Sequence, residues 1–124
     1  MTVFSDFNSQ RPKQVWPGIQ ARAINGERMT VALVDLDPDQ PVQEHHHENE
    51  QMGFIVQGEL TFNIGGESRT LHAGDTYVIP SNVPHDAVTG PQGCVVIDVF
   101  APVRADWESV EQVDPAPSAW KMDR

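Results

Sequence analysis

The chain has 124 residues, enough for a single hydrophobic core and one domain. Its 18 acidic side chains against 8 basic ones give a formal net charge of -10, and no basic cluster offsets it, so nucleic acid is excluded as a partner and polyanions are repelled at a distance. A single cysteine, Cys94, excludes an intramolecular disulfide, no apolar run approaches the ~20 residues that span a bilayer, and residues 1–10 lack the basic start and apolar core of a secretory signal, so a cytoplasmic location is expected.

Residues 1–17 read as an N-terminal arm, because 5–17 is polar and holds Pro12 and Pro17; an irregular path is expected there. The first strand falls at 29–36, where apolar and β-branched residues alternate, and 37–41 ends it. A strand at 53–57 is followed by a predicted turn at Gly58-Glu59 and a strand at 60–64. Gly65-Gly66 is a hairpin signal leading into 68–71. A turn at 73–75 precedes a strand at 76–79, which Pro80 stops. The segments 85–88 and 94–100 complete the set, with a predicted turn at 90–93 between them. Cys94 opens an apolar run and reads as a buried structural thiol. The run 105–113 can form one short helix, and 114–117 with its two prolines cannot continue it. Trp120 and Met122 then predict that the tail docks on the barrel or on a second subunit. Short strands separated by Gly and Pro predict an all-β antiparallel sandwich or barrel over 18–104, followed by a tail over 105–124.

Two patches carry the candidate chemistry. In an extended strand, side chains two apart share a face, so His45 and His47 point together and His46 points away. Gln51 follows His47 at an even offset and shares that face in a regular strand, whereas Glu50, the nearest competing carboxylate, falls on the other. His85 must arrive from a distant strand. Three imidazoles and an amide oxygen suit one divalent transition metal; Ni, Fe, Mn and Zn all accept such donors. All four are neutral, which leaves the metal's charge uncompensated and strengthens its pull on hydroxyl and carbonyl oxygens. The triplet alone is equally a solvated polar run with a chance His-x-His. His72, at a turn, reads as solvated.

The spacing resembles the two cupin motifs. The first, His-x-His followed by Glu and Gly, is matched by His45, His47, Gln51 and Gly58. The second, Gly-x5-Pro-x-Gly-x2-His, is matched by Gly74, Pro80, Asn82 and His85. Gln51 stands in place of Glu, Asn82 in place of Gly, and the Gly that precedes the first His is absent. Asn tolerates the left-handed backbone that Gly adopts there. The stretch from Gly18 to about Trp107 is further similar to the KdgF family of small cupins, whose members carry Gln among the metal ligands and an Asp-x-Phe-x-x-x-Arg signature. Here that signature reads Asp98, Phe100 and Arg104.

The resemblance implies a jelly-roll cupin barrel, commonly dimeric, that opens 4,5-unsaturated monouronates to linear 5-keto-4-deoxyuronates, with a small carboxylated sugar as its partner. On that reading Asp98 moves a proton, its pKa raised by burial, Phe100 walls the sugar ring, and Arg104 holds the carboxylate through its planar guanidinium. The residues alone leave another reading open, in which Asp98 pairs with Arg104 for structure and Phe100 is core. Arg22 and Tyr77 are weaker pocket candidates, outside the expected catalytic set. An oxygen-dependent iron cupin and a binding module for small acids are the alternative functions.

Overall fold

The computed structural model describes residues 3–114 and 116–122; residues 1, 2, 115, 123 and 124, which belong to the expected arm and tail, lie outside them. Among the described residues, alternation of apolar and polar side chains carries through into eight strands: β1 Lys13–Trp16, β2 Ile19–Asn25, β3 Thr30–Leu36, β4 Pro41–His45, β5 Glu50–Ile64, β6 Glu67–His72, β7 Thr76–Ile79 and β8 His85–Ala101. All pairings are antiparallel. The sheet runs β1-β2-β3-β8-β5-β6, with β4 also on β8 and β7 also on β5. This is the expected all-β jelly roll, closed around a core that includes Ile19, Ala21, Leu60, Phe62, Ile79 and Val96.

β5 and β8 do most of the construction, because both run unbroken through positions expected to be turns. Gly58-Glu59 and Gly90–Gly93 do not reverse the chain; they are irregularities in a continuous β5·β8 ladder. Gly58 pairs with Cys94 and Leu60 with Thr89, so β8 bulges out between its two partners. A second shift lies between Ile55 and Gln57. Bulges switch which parity of residue faces inward. Before the switch Gln51 and Ile55 are buried; after it Leu60 and Phe62 are. In β8 the buried set changes from His85, Ala87 and Thr89 to Cys94, Val96, Asp98 and Phe100. Glycine is required at the crossing. A Cβ at Gly58, whose φ is +86°, would meet the carbonyl oxygen of Gly93 at 2.2 Å.

The N-terminal arm departs from the irregular path expected. Its prolines flank β1 rather than interrupt it, and β1 pairs with β2 through Lys13↔Ala21 and Gln14↔Gln20. β2 and β4 are further strands that the expected set lacked. The helix expected at 105–113 shrinks to a 3-10 turn, Ala105–Ser109. Beyond it the chain is extended, because β1 offers an edge to pair with: Gln14 N donates to Glu111 O at 3.1 Å and Val113 N to Pro12 O at 2.9 Å.

The tail docks on the barrel as expected, through polar groups. Ser118 Oγ and Ala119 N both donate to Asp35 Oδ1, at 3.0 and 2.8 Å, and Gln57 Nε2 donates to Ala119 O at 3.2 Å. Arg22, only 1% exposed, pairs with Asp35 Oδ2 at 2.8 Å and donates to the carbonyl oxygen of Ala116. Cys94 is buried, and that burial pushes its thiol up to about 12, as a structural cysteine requires.

Candidate metal centre and the cavity around it

β4 and β8 meet at the pair His45↔His85, which sets these two imidazoles side by side. Their ring centroids are 4.2 Å apart, and His47 lies 5.1 Å from His85. The three histidines offer one nitrogen each within 4.8 Å of one another. The regular strand expected from His45 to Gln51 is broken: β4 ends at His45 and the chain bends at Glu48-Asn49 before β5 begins at Glu50. Gln51 reaches the same place because β5 re-enters with it facing inward; it is 7% exposed, while Glu50 is on the exposed side. His46 is exposed at the rim and outside the triad.

The hydrogen bonds of the rings fix their tautomers. Nδ1 of His45 donates to Gln43 O at 2.8 Å, that of His47 to Asn49 O at 2.9 Å, and that of His85 to Val83 O at 2.9 Å. A carbonyl only accepts, so each neutral ring carries its proton on Nδ1 and presents Nε2 as a lone pair. Burial keeps the rings neutral: it lowers all three pKa values from the ordinary imidazole value, that of His85 to about 4. Gln51 Oε1, another acceptor, lies 3.1 Å from His47 Nε2. Two lone pairs facing each other at that distance repel, and a cation between them removes the conflict. The donor set therefore fits a divalent transition metal, with His45, His47, His85 and Gln51 to hold it.

Gln51 also faces the other way. Its amide lowers the pKa of Asp98, a buried carboxyl. Asp98 does not pair with Arg104, the structural alternative considered from the residues alone; it accepts from Tyr77 Oη at 2.5 Å. Burial pushes Asp98 up to about 6, against the lowering pull of the Tyr77 hydrogen bond, the Gln51 amide and the Arg104 charge. Tyr77 is itself raised, by burial first and then by the Asp98 charge. This pair exists because of one glycine. Gly53 lies opposite Tyr77 on β7 and opposite Asp98 on β8, in the middle of a three-residue row. A Cβ there would stand 2.3 Å from Asp98 Oδ1, 2.6 Å from Tyr77 Oη and 2.7 Å from Ile97 O. The absent side chain is the space that the hydrogen bond crosses.

Asp98, Phe100 and Arg104 all line one cavity of about 370 Å³ together with the histidines and Gln51. Phe100 is 2% exposed and packs edge-on to His47, with centroids 5.9 Å apart. The Arg104 guanidinium lies 4.7 Å from the Phe100 ring centroid and 4.5 Å from that of Trp107. It also engages Asp106 with Nε and Nη2, at 3.0 and 2.9 Å. The bidentate edge expected for a ligand carboxylate is thus partly taken by the protein itself. Trp16 on β1 packs edge-on to His45 at 4.7 Å. Asn49 ties the two halves of the site, donating to Pro102 O at 2.6 Å while its own carbonyl orients His47. Trp16, Asn49, Gly53, Asp106 and Trp107 were outside the expected site, and Tyr77 was set aside. Asp106 alone had a local signal, standing two residues beyond Arg104; the others come together through strand pairing.

A jelly roll with this two-patch histidine site defines a class, and the chain belongs to it: the cupin domain family model matches residues 32–100. Within that family it is a KdgF-like cupin. It is 31% identical to the solved structure of KdgF from Halomonas sp., with a TM-score of 0.78 over 86% of this chain and 98% of that one. It is also 38% identical over 64 residues to the pectin degradation protein KdgF of Dickeya dadantii (strain 3937), a match covering 51% of this chain and 58% of that protein. A match of 38% over 69 residues relates it to the H2HPP isomerase of Bacillus subtilis, covering 55% of this chain and 29% of that enzyme. The chain therefore spans less than two thirds of these two curated relatives.

Proposed function

We propose that this protein is a metal-dependent cupin that converts 4,5-unsaturated monouronates to linear 5-keto-4-deoxyuronates in the breakdown of pectin or alginate, acting as a cytoplasmic homodimer. The observation that carries the reading is the place of Gln51, whose oxygen lies 3.1 Å from His47 Nε2 beside the histidine triad and whose amide lowers the pKa of the buried Asp98. One residue thereby joins a site for an electrophile to a carboxyl that burial has brought to about 6, close to the pH at which a general acid–base works best. The relationship to KdgF proteins supports the substrate class.

A divalent ion held by His45, His47, Gln51 and His85 would polarise sugar oxygens. The rest of the work belongs to the chain. Arg104 binds the carboxylate and orients the ring against Phe100. Asp98 takes the proton of the anomeric hydroxyl as the bond from C1 to the ring oxygen breaks, leaving an aldehyde at C1 and an enolate at C5. It then returns that proton to C4, and the enolate becomes the ketone. Nothing is gained or lost overall, as an isomerisation requires. Tyr77, donating to Asp98, keeps the carboxylate oriented between the two transfers. The apolar lining, with Phe62 and Trp107 on it, excludes bulk water from the opened sugar.

The test is turnover of lyase-generated unsaturated monouronates by metal-loaded protein, followed by loss of absorbance from the conjugated double bond. Asp98→Ala should lower kcat by ~10²–10⁴-fold and Arg104→Ala should mainly raise KM. Full activity in both variants, with metal and melting temperature unchanged, overturns the assignment. Oxygen uptake by the iron-loaded protein would instead favour the oxygen-dependent reading.

A further inference from the structure

Arginine offers two edges that can grip a carboxylate with parallel hydrogen bonds: the side edge, Nε with one terminal nitrogen, and the end edge, formed by the two terminal nitrogens. In Arg104 the side edge is occupied. Nε donates to Asp106 Oδ1 at 3.0 Å and Nη2 to Asp106 Oδ2 at 2.9 Å. Nη1 donates to no group among the described residues, and Nη2 keeps a second hydrogen, so the end edge remains for a ligand in the cavity that Arg104 lines.

The rest of the side chain is held on every other side. Phe100 and Trp107 lie within 4.7 Å and 4.5 Å of the guanidinium carbon, and the Arg104 backbone N donates to the buried Thr30 Oγ1 at 3.0 Å. The Arg104 side chain is 11% exposed, against 63% for Asp106. An exposed surface pair normally contributes little. Here one partner is nearly buried, has its guanidinium carbon over two rings, and faces a cavity. Asp106 and Trp107 sit on the same 3-10 turn, Ala105–Ser109, so one short element supplies both the stacking ring and the bidentate partner.

We propose that Asp106 is a positioning residue: by holding the Nε/Nη2 edge of Arg104 it presents the Nη1/Nη2 edge to the carboxylate of the sugar. The inference rests on the uronate reading above and adds how the acid is recognised. The rival arrangement, in which the ligand displaces Asp106 and the turn acts as a gate, predicts the opposite sign. A placeholder that must be expelled weakens binding, so its removal would tighten it; a positioning group strengthens binding, so its removal loosens it.

The experiment compares parent, Asp106→Asn and Asp106→Glu as metal-loaded proteins, with the unsaturated monouronate and with its methyl ester. Asn keeps the size and removes the charge. KM for the acid should rise about tenfold in Asp106→Asn, the factor equivalent to 1.4 kcal/mol, with the loss falling on KM rather than on kcat. Asp106→Glu should recover part of it, and the methyl ester should be bound alike by parent and variant. A fall in KM establishes the gate and overturns the proposal. An unchanged KM reduces the pair to a surface contact. Equal weakening of acid and ester means that the 3-10 turn has collapsed and Asp106 serves only structure, which also overturns it. If the parent turns over no uronate, the proposed function fails by itself. The inference is then read from direct binding of galacturonate to the three proteins, where no difference between parent and Asp106→Asn, or no binding by the parent, rejects it.

Discussion

Replacing Gly53 with alanine tests the construction of the site at its tightest point. The added methyl would lie 2.3 Å from Asp98 Oδ1, whereas ordinary contact begins at 3.4 Å, so the carboxyl must retreat by about 1 Å. It cannot do so freely, because Asp98 is 6% exposed and packed among β3, β5 and β8. The backbone oxygen of Ile97, at 2.7 Å, is no more able to move. Overpacking of this kind typically costs ~1–3 kcal/mol of stability. A misplacement of about 1 Å in a reacting group can cost ~10²-fold in rate. Gly53→Ala should therefore keep its metal, because His45, His47 and His85 are untouched, melt several degrees lower, and lose ~10²-fold in kcat on the unsaturated uronate. Tyr77→Phe separates two causes: it removes the hydroxyl that crosses Gly53 without adding bulk, so its loss in rate reports the hydrogen bond alone. If Gly53→Ala folds, holds metal and turns over at the parental rate, the row Tyr77–Gly53–Asp98 has no part in the chemistry.

The metal itself is open to direct removal. Chelation should lower the melting temperature, and titration with Ni, Fe, Mn or Zn salts should raise it again, the ion stabilising the fold by ~2.7 kcal/mol at a free concentration 100 times the dissociation constant; His85→Ala should abolish that response, and elemental analysis should find one ion per parental chain. On the opposite face, Asp35→Ala leaves the buried Arg22 charge unpaired and releases Ser118 and Ala119. Breaking a buried pair on one side costs ~3–5 kcal/mol. Arg22→Met/Asp35→Leu should recover much of the melting temperature while the tail stays undocked and open to limited proteolysis; resistance equal to the parent's would show that the tail is held elsewhere.

What the sequence determined by itself was the class of fold and the residues proposed as metal ligands. The gaps between His45, His47, Gln51 and Gly58, and between Gly74, Pro80, Asn82 and His85, are local facts, because each motif is one short continuous stretch of chain, the first running from β4 through a bend into β5 and the second from the turn before β7 to the start of β8. Asn82 adopts φ of 63°, the left-handed backbone that Asn shares with the Gly of the cupin motif. Alternation located the strands whose faces are half buried. It failed at β1 and β4, which are short and polar, and at Gly58 and 90–93, where glycines read alike as turn or bulge; β2 is absent from the expected set although Ile19, Ala21 and Ala23 alternate there with Gln20 and Arg22. Only strand pairing distinguishes a chain that reverses from one that bends and continues. The same limit applies to the site. Which groups Asp98 and Arg104 touch depends on the β7·β5·β8 register and on where the chain goes after β8. Tyr77 meets Asp98 across a glycine on a third strand, and Trp16 reaches His45 from β1. The tail settles against Asp35 because a buried arginine needs partners that the barrel alone does not supply. Local spacing specifies which side chains share a face of one strand; only closure of the barrel specifies which faces meet.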